Sequence, residues 1–366
     1  MFQGGDLMFD IRGLLTGAKP LAGLDIGSSS IKLVEINRTP KGHILNRFAQ
    51  VPLAAGVIVD GSVAEEPALS AAIREVFKKS GCTRRHVVIS LSGHAVIMKK
   101  VIFAQMGEDE LYQLIRDEAE KYLPVEDAAT VDFDFQILGD HPYNPSQMEV
   151  LLVAAKREVV LGYAKAVEAA GLVPAIIDVD SFAVETMYEE NYYFAPEDIA
   201  VLVNIGASIT NLNVVKGGGS IFTRDFALGG NAVTQAIAGD LHISLAEAEK
   251  AKLAGIGDDE PSRKLFRDKL LVYADPICAE IERSIDYFRS TFGVEAITEV
   301  LLSGGGALIP GIAADLRQRL EIETEIVNPF KKLIRGKQGP DKETAQRIGP
   351  LAAVGVGLAM RRQEAP

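Results

Sequence analysis

Residues 21–36 read LAGLDIGSSSIKLVEI: an apolar run carrying one acid, then a glycine and three serines, then apolar residues again. The pattern predicts two strands joined by a tight turn, because Gly reaches backbone angles that other residues avoid and Ser bonds readily to nearby main chain. The stretch alone leaves two readings open. It is an ordinary hairpin, or it is a turn whose backbone N–H groups converge on an anion.

Composition narrows the setting. A chain of 366 residues, 48% hydrophobic and 24% charged, has the profile of a folded protein long enough for two domains. A formal net charge of −12 argues against a nucleic-acid partner, whose phosphates require a cationic face. Cys82 and Cys278 form no CxxC pair and the five histidines form no cluster with metal-ligand spacing, so a reducing compartment and no structural zinc are expected. The run IGPLAAVGVGLAM at 348–360 is shorter than the ~20 residues that cross a bilayer, and the N-terminus has no basic-then-apolar signal pattern. A cytoplasmic chain is expected. Residues 1–20, with Phe9, Ile11, Leu14 and Leu15 at near-helical spacing, read as a frayed tail or a packing arm.

The opening stretch has an echo. AVLVNIGASITNLNVV at 200–215 aligns with it at an offset of 179 residues (Asn204 less Asp25), which also places Ile26 on Ile205, Gly27 on Gly206, Ser29 on Ser208 and Leu33 on Leu212. The likeness continues into KGHILNRFA at 41–49 and GGSIFTRDFA at 218–227, each a turn followed by a strand. Each copy predicts a three-stranded meander opening an α/β domain, and two matched hairpins in the same order predict a duplication. Two such turns facing each other across a cleft would offer two sets of N–H groups to one anion, a triphosphate being the natural occupant.

At this point the residues resemble the actin-like ATPases, the superfamily of actin, heat-shock chaperone ATPases and sugar kinases. Five segments match in order: LDIGSSSIK (24–32) and VNIGASIT (203–210) as the two phosphate loops, DVDSFAV (178–184) and IGPLAAVGVGLA (348–359) as the two connecting helices, and LSGGGALIPG (302–311) as the adenosine motif. Within the superfamily, GLDIGSSSIKLVEI and AAKREVVLGYAKAVEAAGLVPAIIDVDSFAV (154–184) are most similar to the type IV pilus assembly protein PilM family, relatives of the division protein FtsA.

The resemblance implies an α/β fold: duplicated actin-like (ribonuclease H-like) domains around a nucleotide cleft, with an FtsA-type inserted subdomain. The expected boundaries are 21–94, 178–198 and 345–362 for the first domain, 95–177 for the insertion, 199–230 and 293–344 for the second domain, and 231–292 for a nucleotide-covering subdomain. Within the insertion the sequence predicts a helix over 108–123, strands TVDFDFQIL and MEVLLVAAK, and a helix from Arg157.

The resemblance also implies roles. Gly27, Ser28, Ser29 and Ser30 would cradle phosphate oxygens, with Lys32 adding positive charge and Gly206, Ala207 and Ser208 forming the opposing loop. Asp25, with Asn204 at the matching place in the second loop, would hold Mg²⁺ through water. Gly229, Gly230 and Asn231 would let the chain approach ATP or ADP. Glu249 and Lys252, in the family's AExxK helix, would lie near ribose and base, unless they are a surface ion pair. Gly304, Gly305 and Gly306 would pass under the adenosine, with Leu308 on the base, though a flexible turn would also use such glycines. The glycines of AAVGVGLA read better as close helix packing than as ligand contacts.

Asp180 falls where relatives position the attacking water, and is equally well read as a helix N-cap. Asn204 departs from the Asp usual in the second loop; an amide adds no charge to a metal site and is no base, so ATP binding with weak or absent hydrolysis is expected. The resemblance implies a scaffold for pilus assembly and twitching motility that binds the cytoplasmic N-terminal peptide of PilN beside the insertion. Pilus motor ATPases and the platform protein would be further contacts, and the inner membrane would be reached only through partners. The alternatives are an FtsA-like filament former, hence self-association, and a small-molecule kinase.

Overall fold

The computed structural model describes residues 20–123, 128–141, 143–254, 260–294 and 296–361. The expected N-terminal tail lies outside the described residues apart from Pro20. β1 (Leu21–Ile26), β2 (Ser30–Thr39) and β3 (Gly42–Pro52) form the predicted meander. β1 is buried throughout, as its unbroken apolar run requires, with Ala22, Leu24 and Ile26 in one core. A short hairpin, β4 (Ile58–Val59) and β5 (Ser62–Val63), leads to α1 (Glu66–Ser80) and β6 (His86–Leu91). α1 starts with a proline in its first turn and ends at Gly81 in the left-handed region (φ 64°), whose N–H donates to the Phe77 carbonyl.

The chain then leaves the first lobe for a compact insertion. β7 (Val96–Ala104), α2 (Glu108–Tyr122), β8 (Val131–His141) and β9 (Asn144–Lys156) form a three-stranded antiparallel sheet in the order β7-β9-β8, with Leu111, Ile115 and Ala119 of α2 packed on one face. The insertion is shorter than the expected 95–177. α3 (Arg157–Ala169) packs into the first core with α1, and β10 (Val173–Val179) pairs with β6 in parallel, so both belong to the first lobe. Val159, Val160, Tyr163, Ala164, Ala166 and Val167 make an apolar stripe that is buried in the first lobe's core.

α4 (Asp180–Asn191) crosses to the second lobe, where β11 (Ile199–Ile205), β12 (Thr210–Lys216) and β13 (Gly219–Phe226) repeat the meander. α5 (Gly230–Leu241), α6 (Leu245–Ala254) and α7 (Glu260–Phe292) follow, then β14 (Glu299–Ser303), α8 (Ile312–Leu320) and β15 (Thr324–Ile326). The chain returns through β16 (Ile334–Arg335) and α9 (Lys342–Met360). β16 pairs with β3, so the chain rejoins the first sheet before the boundary expected at 345.

The first sheet runs β10-β6-β1-β2-β3-β16 and the second β13-β12-β11-β14-β15; each is an antiparallel meander extended by parallel strands on the β1 or β11 side, and the first alone gains a parallel strand, β16, on its β3 edge. A third core joins them: Val34 and Val88 of the first sheet and Leu202 and Leu301 of the second meet Ala183, Met187 and Tyr188 of α4 and Val356 and Leu358 of α9. The glycines of α9 serve this packing. A Cβ on Gly357 would lie 1.7 Å from the Ala183 carbonyl of α4, and one on Gly355 2.8 Å from Val34 Cγ2.

Candidate functional site

The two Gly-Ser turns have the same internal geometry. The Gly27 N–H donates to the Ser30 carbonyl at 3.1 Å, and the Gly206 N–H to the Ile209 carbonyl at 2.9 Å, the same bond at the same offset. They also meet: Ser28 Oγ and Ser208 Oγ are hydrogen-bonded at 2.9 Å, one from each lobe. A second bond spans the lobes nearby, where the backbone N–H of Gly93, just after β6, donates to Asp225 Oδ2 of β13 at 2.7 Å. Gly93 also faces Ile209 of the second turn, where a Cβ would lie 2.6 Å from the Ile209 side chain.

Behind each turn the ladder sets a cross-strand pair. Asp25 of β1 stands opposite Lys32 of β2, and Lys32 Nζ donates to Asp25 Oδ2 at 3.0 Å. In the second copy Asn204 stands opposite Asn211, and Asn204 Nδ2 donates to Asn211 Oδ1 at 3.1 Å. Duplication thus kept the register and replaced an ion pair by an amide pair. Asn204 Oδ1 also accepts from Ser303 Oγ at 3.3 Å, at the end of β14.

Asp180 opens α4 at the carboxyl end of β10, and it is not the helix N-cap: that position is Val179, and the Asp180 carboxylate instead accepts from Ser90 Oγ at 2.5 Å. Burial pushes its pKa up to about 7, and the charges of Asp25 and then Asp225 push the same way against the Ser90 bond. The carboxylates of Asp25 and Asp225 thus both act on Asp180. Among the described residues no group of three or more acid, His or Cys side chains is arranged to hold a metal ion by itself. The oxygen donors suit a hard cation held partly through water and ligand phosphates, which is how Mg²⁺ prefers to bind.

The residues expected near the nucleotide, ribose and base make contacts within the second lobe. Gly229 passes so close to the second turn that a Cβ would lie 2.5 Å from the Gly206 carbonyl. The N–H groups of Gly230 and Asn231 donate to the Gly206 and Ala207 carbonyls at 2.9 and 2.8 Å, and Asn231 Nδ2 donates to Ser208 Oγ at 3.0 Å. Lys252 and Glu249 do pair, at 2.6 Å, but Lys252 is largely buried rather than a surface partner. Lys252 Nζ donates to the Gly230 carbonyl and to Thr234 Oγ1, and Thr234 Oγ1 donates to Glu249 Oε2 at 2.5 Å, so the pair clamps the first turn of α5 to α6.

In the adenosine motif, Gly304 (φ 82°) and Gly306 are required by the protein itself. A Cβ on Gly304 would lie 2.3 Å from the Ile205 carbonyl, and one on Gly306 2.1 Å from Ile205 Cγ2. Gly305 is different: its nearest neighbour would be Leu351 Cδ2 at 3.6 Å, ordinary contact. Leu308 follows with 43% of its surface exposed. Sequence reading missed Ser90, Gly93 and Asp225. Only Asp225 had a signal, since it is the β13 partner of Asn211 and sits in the repeated strand.

Comparison with known proteins agrees with this architecture. The chain matches the family model described as type IV pilus assembly protein PilM over residues 23–363. A solved PilM–PilN type IV pilus biogenesis complex contains a chain that superposes with a TM-score of 0.82 at 31% identity, covering 95% of this chain and 99% of that one. The ethanolamine utilization protein EutJ of Escherichia coli K12 is 31% identical over 122 residues, 33% of this chain, and the matched part spans 39% of that relative. Two structures share the fold alone: EutJ of Carboxydothermus hydrogenoformans (TM-score 0.56, 16% identity, 97% of this chain and 95% of that one) and MreB5 of Spiroplasma citri bound to AMPPNP (0.50, 14%, 93% and 95%). The fold is that of the actin-like ATPases, and with the family pattern matched from the first strand to the end of the last helix, the chain belongs to the type IV pilus assembly protein PilM family.

Proposed function

We propose that the chain is an ATP-binding scaffold of the type IV pilus assembly platform, working in the cytoplasm at the inner membrane and binding the N-terminal peptide of PilN. One observation carries the nucleotide part: two turns of identical hydrogen bonding, one from each lobe, meet at Ser28 and Ser208. Phosphates entering between Gly27–Ser30 and Gly206–Ser208 would replace the hydroxyl pair and meet N–H groups from both lobes. Lys32 would add charge, and Asp25 and Asn204 would hold Mg²⁺ through water, which would neutralise the phosphate oxygens. Adenosine would pass over Gly305 to Leu308. Asp180 would accept a proton from a water, but the amide at Asn204 would leave the metal site one charge short, which favours a bound nucleotide over a cleaved one.

The partner reading rests on family membership and on likeness to a PilM chain solved with PilN. Binding between lobes stabilises only the arrangement that touches the ligand from both sides, so nucleotide would set the shape the peptide meets beside the insertion. The test is thermal melting with and without Mg-ATP, alongside capture on a synthetic PilN N-terminal peptide. The wild-type melt should rise with Mg-ATP and Asp25→Ala should lose that rise; an unchanged wild-type melt sinks the cleft assignment. No peptide capture in either the loaded or the empty state sinks the scaffold reading.

A further inference from the structure

The edge of the first sheet farthest from β10 carries a pocket unrelated to the cleft. Leu45 of β3, Phe330, Leu333, Pro340, and Ala345 of α9 give it an apolar lining, completed by Arg335 and Lys342. It encloses about 220 Å³, room for one large apolar side chain. The segment that frames it is basic. Residues 331–347 contain Lys331, Lys332, Arg335, Lys337, Lys342 and Arg347 with Asp341 and Glu343, six positive charges to two in a chain of net −12.

The surroundings keep those charges on the surface. Lys331, Arg335, Lys337, Lys342 and Arg347 are exposed, Lys332 Nζ lies 3.8 Å over the exposed Tyr193 ring, and the Asp341 carboxylate is occupied capping α9 through the Thr344 N–H. The N-terminal end of α9 adds its own positive potential beside Lys342 and Ala345. β16 is an edge strand of two residues, and its Ile334 is 43% exposed. The nucleotide and peptide readings proposed above assign no role to this face.

We propose that this pocket is a second docking site, taken by an acidic peptide segment of a partner that inserts one large apolar side chain. Charge complementarity selects the acidic flanks, and the apolar hole selects the anchor. A recessed pocket suits an inserted side chain better than the flat face of an anionic bilayer, which would call for protruding apolar residues.

The test selects linear peptides of about twelve residues from a random display library on the full-length protein, then measures synthetic versions of the enriched sequences. Acidic sequences with a single Phe, Leu or Trp are expected. Their affinity should fall about tenfold or more in Lys337→Glu/Lys342→Glu, with a steep salt dependence, and be lost in Ala345→Phe, which fills the hole. Enriched peptides that are not acidic, or that bind both variants as well as wild type, overturn the proposal. So does binding to phosphatidylglycerol vesicles that depends on Lys337 and Lys342 when no peptide is enriched, or self-association that the double variant abolishes.

Discussion

The matched pairs Asp25–Lys32 and Asn204–Asn211 occupy identical ladder positions, so their chemistry differs while their placement does not. Asp180 feels the charge of Asp25. Its pKa rises from the ordinary 3.8 to about 7, because burial and the neighbouring Asp25 charge disfavour the ionised form. Between those values the folded chain keeps a proton that the unfolded chain has released. This group's stabilisation is therefore complete below about pH 4 and gone once pH passes about 7. In protein freed of nucleotide and metal, Asp180→Asn should melt increasingly above wild type as pH rises from 5 to 8, on the order of 5 °C at the upper end. A gap that does not change with pH would overturn this account. The adenosine-motif glycines separate in the same way: Gly304→Ala and Gly306→Ala should each cost about 1–3 kcal/mol through collision with Ile205, measured by urea unfolding. Gly305→Ala has no such collision and should melt like wild type while losing part of the Mg-ATP shift; a full shift would move the nucleotide away from that residue.

At the scale of elements, the two connecting helices decide whether the lobes act together. α4 carries Glu185, which accepts from Asn213 Nδ2 at 2.9 Å and the Ser220 N–H at 3.2 Å, bonding the helix to the second sheet. α9 packs on β1 and α4 through missing side chains: a Cβ on Gly23 would lie 2.3 Å from the Gly355 carbonyl, and Gly357 faces the Ala183 carbonyl. Alanine in a helix interior is favoured over glycine by about 1 kcal/mol, yet Gly357→Ala should destabilise by about 3 kcal/mol or more, because the nearest atom is backbone and cannot rotate away. Both lobes should unfold earlier together, since the core at this crossing contains residues of both sheets. Chemical denaturation followed by probes in each lobe checks this; loss of stability in one lobe alone would contradict a shared core.

For the whole molecule, the consequence of the two-sided cleft is that nucleotide should protect both turns at once. Hydrogen exchange of amides 27–30 and 206–209 should slow together on adding Mg-ATP, and slowing at one turn only would rule out a clamp. Much of this organisation was legible in residue order. Apolar periodicity and turn chemistry act over a few neighbours, so the sequence by itself determined the meanders, the duplication and its offset, the helix of the insertion, and the two glycine-serine turns. Nothing local says which atoms meet across a hundred residues. Only the tertiary structure decided that α3 and β10 belong to the first lobe, that β16 returns to β3, and that Gly304 and Gly306 are demanded by Ile205. It alone joined Gly93 to Asp225 and Ser28 to Ser208. Those outcomes depend on steric fit and on charges brought together through space, whereas the elements themselves depend on backbone preferences that each short segment carries alone.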